Sequence, residues 1–382
     1  MKRKYILLLT LFLIVLNSCS DKDHLKEIRP VRTVFVYMVA SDLENDLRGN
    51  IEDMIAVATP ENLNGGNLVV FYSKNKEEAE LFEIKEGMNG VVTRHHIRDY
   101  ENKSAISPLV MREVLNEVVS LYPADSYGMI LSSHASGWLP ANFKSMLRSF
   151  GEENQKNMEL DELASALPDH FFDFLLFDAC SMGAIECVYE LRNKAEYIIS
   201  SPSEILSPGF PYRKVLPILF QNTPDMNQVA DEFYNFYSTY RYHYGNMSVV
   251  KTEPLDELAG IVRMIVSTAG GEEATHDLPF SDLQILSYFS SPTHLYDFGD
   301  VIKRLATDEQ YSHFQTSLDN VVTEKRYTER IFFAVVGDRP VEIYSGLSVY
   351  PLQKELTELN TWYRQLDWYK AVYDNSYLEM KR

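Results

Sequence analysis

Two stretches of the chain run an apolar strand straight into a reactive side chain. They are Tyr127-Gly-Met-Ile-Leu-Ser-Ser-His134-Ala-Ser-Gly-Trp138 and Phe174-Leu-Leu-Phe-Asp178-Ala-Cys180-Ser-Met-Gly183. A thiol and an imidazole are the minimal kit for covalent acyl transfer, the thiolate attacking a carbonyl and the imidazole moving protons. Strands buried on both faces of a parallel sheet read as unbroken apolar runs, and catalysis sits just beyond their carboxyl ends. His134 and Cys180 both hold that position, followed closely by small residues and by Gly137 or Gly183, which let a substrate backbone approach.

Each residue alone also has a plainer reading: Cys180 as a buried structural cysteine, His134 as a hydrogen-bonded structural histidine. In the catalytic reading Cys180 forms a thioester, His134 protonates the leaving amine, and the backbone N–H groups of Ala135 and Cys180 hold the oxyanion. A helix starting at Cys180 would lower its thiol pKa through the unpaired N–H groups of the first turn. Asp178 would not help form a thiolate, but it would bind an arginine or lysine side chain of a substrate. Its alternative role is a strand-end aspartate bonded to nearby backbone.

The elements that must position these residues alternate strand and helix. Strands are expected at 33–39, 67–72, 196–200 and 247–250, with a hairpin over 79–97 turning at Gly87 and Gly90. Helices are expected from a Ser41-Asp42 cap to about 58, from Ser107-Pro108 to 121, and near 159–167. Others follow from Cys180 to about 192, over 225–241, and after a Thr252 cap. This alternation implies right-handed crossovers and a parallel or mixed sheet with helices on both faces. The stripe Phe233, Tyr237, Tyr240 and Tyr244 falls at helical spacing and reads as core.

Beyond about residue 270 the texture turns helical, over 295–306, 309–323 and 356–373, with strands at 331–336 and 346–350. The expected organisation is a core over 32–270 and a smaller helix-rich subdomain over 271–382, whose strands could return to the main sheet.

Residues 1–18 read as a secretory leader: Lys2, Arg3 and Lys4, then an apolar run from Tyr5 that is too short to span a bilayer. Leu16-Asn17-Ser18-Cys19 resembles the bacterial lipobox, which makes Cys19 the acylated first residue of a membrane-anchored protein; ordinary cleavage near Cys19 is the alternative. Residues 19–31 then form a tether. Its Ser20-Asp-Lys-Asp23 segment resembles the export signals of surface lipoproteins of Bacteroidota, and equally suits a plain solvated linker. The implied location is the bacterial cell envelope, at the outer membrane.

The chain has 36 basic and 55 acidic residues, a net charge of −19 that loses three further cations with the leader. This charge argues against nucleic acid as a partner and favours cationic peptides, without proving what binds. With Cys19 acylated, only Cys180 and Cys187 remain of the 3 cysteines, so no disulfide framework holds the fold; Cys187 reads as a small core hydrophobe. His95 and His96 would face opposite ways on a strand, and there is no His-Glu-x-x-His, Cys-x-x-Cys or phosphate-cradling glycine loop. No obligatory transition metal or nucleotide is expected.

The two motifs resemble those of the clostripain family of cysteine peptidases. The family pattern His-Gly-Ser-Gly-Trp after an apolar strand matches Ile130-Leu-Ser-Ser-His134-Ala-Ser-Gly-Trp138 except at Ala135. Phe-Asp-Ala-Cys matches Phe177-Asp-Ala-Cys180-Ser-Met-Gly183. Asp42-Leu-Glu, Ser149-Phe-Gly151, Pro208-Gly-Phe-Pro-Tyr212 and Ser345-Gly-Leu-Ser-Val-Tyr350 are similar to further landmarks, and the likeness covers most of 33–375. It implies a caspase-like fold and a lipid-anchored endopeptidase with a His134/Cys180 dyad. The dyad would cleave after Arg or Lys, with Asp178 as selector and Glu204 as a second acidic residue of the pocket.

Some members mature by cleavage between the motifs, where Lys144, Arg148 and Lys156 are candidate sites. Calcium dependence occurs in the family, but no calcium-loop motif is present here. Ala135 in place of glycine would strain a turn that needs positive φ. That substitution favours the alternative, a catalytically impaired relative acting as a surface binding protein.

Overall fold

A computed structural model describes residues 30–140, 150–153, 156–290 and 293–374. Its strands are β1 (Arg32–Val39), β2 (Asn67–Ser73), β3 (Ala79–Glu86), β4 (Val92–Asp99), β5 (Ser126–Ser132) and β6 (Phe150–Glu153). Next come β7 (Lys156–Met158), β8 (Phe172–Asp178), β9 (Ala195–Ser200), β10 (Asn246–Lys251) and β11 (Ile285–Ser290). The last are β12 (Thr293–Asp297), β13 (Val322–Tyr327), β14 (Arg330–Phe333), β15 (Gly337–Pro340) and β16 (Ser348–Val349).

Nine of them form one sheet in the order β13-β10-β9-β8-β5-β1-β2-β3-β4. The centre, from β2 through β1, β5 and β8 to β9, is parallel; β3 and β4 on one side, and β10 and β13 on the other, run antiparallel. This is the mixed, mostly parallel sheet that the strand–helix alternation implies.

Every residue of β1 is buried, because alternate side chains enter two different cores. Val34, Val36 and Met38 pack with Leu47, Ile51 and Met54 of the helix Glu44–Val57, and with the helices Tyr212–Leu219 and Met226–Thr239. Phe35, Tyr37 and Val39 face the helices Pro108–Leu121, Leu160–Ala166 and Leu255–Ala269. Each fully buried Val, Leu or Phe contributes about 1.5–3 kcal/mol, so a strand with no wet face is pinned in register from both sides.

The C-terminal stretch shares this second core. Phe298, Phe314, Trp368 and Val372 belong to the same cluster as Phe35 and Tyr37, and β13 hydrogen-bonds to β10 at the edge of the main sheet.

Several local expectations change. Asp42 does not cap the first helix, which starts at Glu44 with Leu43 at its N-cap. Thr252 does not cap the helix Leu255–Ala269, since its hydroxyl donates to Ala195 O at 2.7 Å and ties that loop to β9. The expected helix over 295–306 begins as strand: Leu295 and Tyr296 pair in β12, and helix starts only at Phe298, where Asp297 accepts from the Asp300 N–H at 3.0 Å. The expected helix over 356–373 divides into Thr357–Tyr363 and Asp367–Tyr373. Phe233 and Tyr237 are buried as core, and Tyr240 is half-buried.

Candidate functional site

The register of three neighbouring strands sets the site. Met38 of β1 pairs with Ser132 of β5, and Ser132 pairs with Asp178 of β8. His134 and Cys180 each lie two residues past a paired position, so both motifs leave the sheet at one level of its carboxyl edge, and Asp42 leaves from β1 beside them. The Ser133 hydroxyl donates to Val39 O at 2.7 Å and ties the end of β5 to the end of β1. Across that junction His134 Nε2 lies 2.6 Å from Asp42 Oδ1. Asp42, expected as a helix cap, is instead the partner of His134. Its signal in the sequence is its place just past β1, once β1 is known to adjoin β5.

Cys180 sits in a tight turn, and helix begins only at Ile185. Helix-terminal stabilisation of a thiolate, expected from the sequence, is thus not built here. Sγ instead accepts from the Ile205 N–H at 3.4 Å and donates to Ile205 O at 3.7 Å. Burial pushes the Cys180 thiol up to about 12, and the nearby Glu204 and Asp178 charges add to the rise against the pull of the Ile205 N–H. The resting group is a thiol at neutral pH.

The next residue, Ser181, has φ 60°, a left-handed conformation costing roughly 1–2 kcal/mol in a non-glycine residue. It is held there by the Ser181 N–H donating to Ser203 O at 2.8 Å and by a 2.8 Å contact between the Ser181 and Ser287 hydroxyls.

The strain expected at Ala135 is absent. Ala135 is not among the left-handed residues; it bridges Phe150 in an antiparallel pair, with the Gly151 N–H donating to His134 O at 2.9 Å. The left-handed glycine of this motif is Gly137, at φ 68°, where an added Cβ would stand 2.9 Å from Ser181 O. The requirement for glycine therefore falls two residues later. Among the described residues, no backbone carbonyl takes the N–H of Ala135 or Cys180.

Asp178 is the last residue of β8, and Cys180 lies beyond the strand in the turn. Its Oδ2 accepts from Tyr212 Oη at 2.7 Å and Ser132 Oγ at 3.4 Å. Burial raises its carboxyl to about 6, against hydrogen bonds from Tyr212, the Phe210 N–H and Ser132 that lower it. Gly209, at φ 66°, is required beside it, because a Cβ there would meet Asp178 Oδ2 at 2.4 Å. Asp178 is thus bonded locally, and it also lines a cavity of about 340 Å³.

His134, Ala135, Cys180 and Glu204 line the same cavity. Glu204, however, spends both carboxylate oxygens on the Ala334 N–H, each at 3.1 Å. Cys187 is fully buried, and neither it nor Cys180 is in a disulfide. No group of three or more His, Cys, Asp or Glu that could hold a metal occurs among the described residues. Cys19, Lys144 and Arg148 lie outside the described residues; Lys156 is exposed at the start of β7.

The model of the clostripain family matches residues 36–380. This chain belongs to the clostripain family. It is 36% identical to an inactive zymogen C11 protease from Parabacteroides distasonis, whose X-ray structure superposes with a TM-score of 0.83 over 91% of this chain and 99% of that one. A secreted C11 cysteine protease from Bacteroides thetaiotaomicron, solved with an irreversible peptide inhibitor, is 28% identical with a TM-score of 0.78, covering 90% of this chain and 98% of that one. Clostripain of Hathewaya histolytica is 30% identical over 122 residues, which are 28% of this chain and 23% of clostripain. The fold is accordingly the caspase-like α/β arrangement of C11 proteases.

Proposed function

We propose that this protein is a lipid-anchored cysteine endopeptidase that hydrolyses peptide bonds after Arg or Lys, with Cys180 as nucleophile and His134 as acid and base. The observation that carries this reading is the β5/β8 register, which brings both residues out at one level beside a common cavity. Asp42 holds Nε2 of His134, which leaves Nδ1 to take the thiol proton as Sγ attacks the scissile carbonyl carbon.

Because burial holds Cys180 as a thiol, proton transfer accompanies attack rather than preceding it. The N–H groups of Ala135 and Cys180 receive the oxyanion. Collapse breaks the C–N bond as the imidazolium protonates the departing amine. His134 then deprotonates water, which attacks the thioester and releases the carboxylic acid and the Cys180 thiol. Asp178 supplies the negative charge that a guanidinium or ammonium seeks in the cavity.

The ordinary backbone at Ala135 withdraws the feature that favoured an impaired binding protein. The inactive zymogen relative supports a resting form that matures by cleavage between the motifs. Anchoring rests on Cys19 and the cell-envelope location on the leader; the protein needs neither metal nor nucleic acid in this reading.

The test incubates purified mature protein and its Cys180→Ala variant with Arg, Lys and uncharged peptide substrates, with calcium or with a chelator. Cleavage after Arg and Lys that the variant lacks is expected in both conditions. No turnover above the variant, together with no labelling of Cys180 by a thiol-directed inhibitor, refutes the reading. For the anchor, Cys19→Ser should release the protein from membranes and remove incorporated fatty acid.

A further inference from the structure

The hairpin β14–β15 forms its own two-stranded sheet, separate from the nine-stranded sheet and from the three-stranded sheet β11-β12-β16, with Arg330 to Phe333 paired to Pro340 to Gly337. Its base is fixed by a small apolar cluster in which Ile331 and Phe333 pack with Leu286 and Tyr344. Gln284 adds two clamps, accepting from the Glu342 N–H at 2.8 Å and donating to Pro340 O at 3.3 Å. At the tip Val336 packs against the same cluster, while Ala334 and Val335 form part of the wall of the cavity that holds His134 and Cys180. Val335 is 51% exposed, an apolar side chain presented at the rim.

Glu204 joins this tip to the nucleophile. Both its oxygens accept from the Ala334 N–H. Its neighbours in the chain hold the Cys180 turn, Ser203 through its carbonyl to the Ser181 N–H and Ile205 through its N–H to Cys180 Sγ. The hairpin tip, residues 203–205 and the thiol turn are thus one hydrogen-bonded unit. Asp178 has no bond to the hairpin among its hydrogen-bond partners, Tyr212, Ser132 and the Phe210 N–H, whereas Glu204 bonds the tip directly.

We propose that the β14–β15 hairpin is a wall of the peptide-binding site, with Val335 contacting an apolar substrate side chain that flanks the basic residue, and that Glu204 is the positioning residue that holds this wall. The inference rests on the peptidase reading above. Burial raises the Glu204 carboxyl to about 7 while the Ala334 N–H lowers it, and its charge is one of the causes that raise the Cys180 thiol.

The experiment compares Glu204→Gln, Glu204→Ala and Val335→Asn with the unmodified chain on Arg peptides whose flanking residue is Leu or Ala. Glutamine keeps an acceptor for the Ala334 N–H, so its KM stays within about twofold, whereas alanine raises KM about tenfold with the Arg preference intact. Val335→Asn lowers the preference for Leu over Ala about fivefold. Glu204→Gln also quickens alkylation of Cys180 by iodoacetamide, an effect of lost charge that a purely structural role would not produce.

Equal loss of Arg preference in both Glu204 variants makes Glu204 a cation selector and overturns the proposal, as does an unchanged flanking preference in Val335→Asn. The same series in a Cys180→Ala background, read as peptide Kd by fluorescence anisotropy, separates the two claims. Flank-dependent binding without turnover in the parent chain refutes the peptidase reading alone.

Discussion

Asp178 and Glu186 stand on either side of Cys180, and both are carboxyls taken out of water, yet their surroundings differ in kind. Asp178 is raised to about 6 by burial, is steadied by Tyr212 and Ser132, and opens on the cavity. Glu186 is raised to about 8, accepts from the Tyr350 N–H at 2.8 Å, and is enclosed with Tyr350 and Tyr363. Those rings pack on Trp138, the last residue of the histidine motif, at centroid distances of 5.4 and 5.2 Å. A perturbed acid is therefore not by itself a sign of function. Access to a cavity makes Asp178 a group a substrate can meet, while enclosure makes Glu186 part of the support behind it.

The sharpest break in this contrast comes from His134→Ala, which should lower kcat/KM by about 10³-fold while leaving thermal unfolding nearly unchanged; a large shift in Tm with little loss of rate would make His134 structural. Asp178→Asn should reduce the preference for Arg over an uncharged residue by about a hundredfold. In the unmodified chain the KM for basic substrates should rise as pH falls below about 6, because protonation removes the Asp178 charge. A selectivity profile that ignores both changes would move the selector elsewhere.

Glu186→Gln tests the enclosed side. A carboxyl raised from 4.5 to about 8 binds its proton more tightly when folded, so it stabilises the fold most below its unfolded pKa. That stability is lost as pH rises from about 4.5 to 8, on the order of 2 kcal/mol or more. The variant should flatten the loss, with a higher Tm at pH 8 and unchanged peptide selectivity. Asp42→Asn should have the smallest effect, about a tenfold loss in kcat with KM held and a shift in the pH–rate profile, since only the orientation of the imidazole is altered.

The architecture was legible because apolar runs such as those of β1, β5 and β8 have no other stable use than burial on both faces. His134 and Cys180 were legible because strand ends are marked by the change from large apolar to small residues. The pairing of Asp42 with His134 was not, because it depends on β1 lying next to β5, a choice of neighbours that local sequence does not encode.

The relation of Glu204 to Ala334 joins positions 130 residues apart for the same reason. The expected burden on Ala135 was misplaced because a motif names its residues without saying which carries the positive φ, and the turn puts that load on Gly137 and Ser181. The strand over Val322 to Tyr327 was hidden by its mixed polarity, which suits an edge position where one side stays open.

That edge strand has a consequence for how the chain can be divided. β13 covers β10 through pairs from Asn246–Tyr327 to Val250–Val322. A protein ending near residue 270 would keep His134, Cys180 and Asp178, yet it would present β10 as a bare row of N–H and C=O groups. Such a surface recruits further strands from other copies. The shortened protein should precipitate rather than work as a minimal enzyme, and solubility would return when residues through β13 are restored.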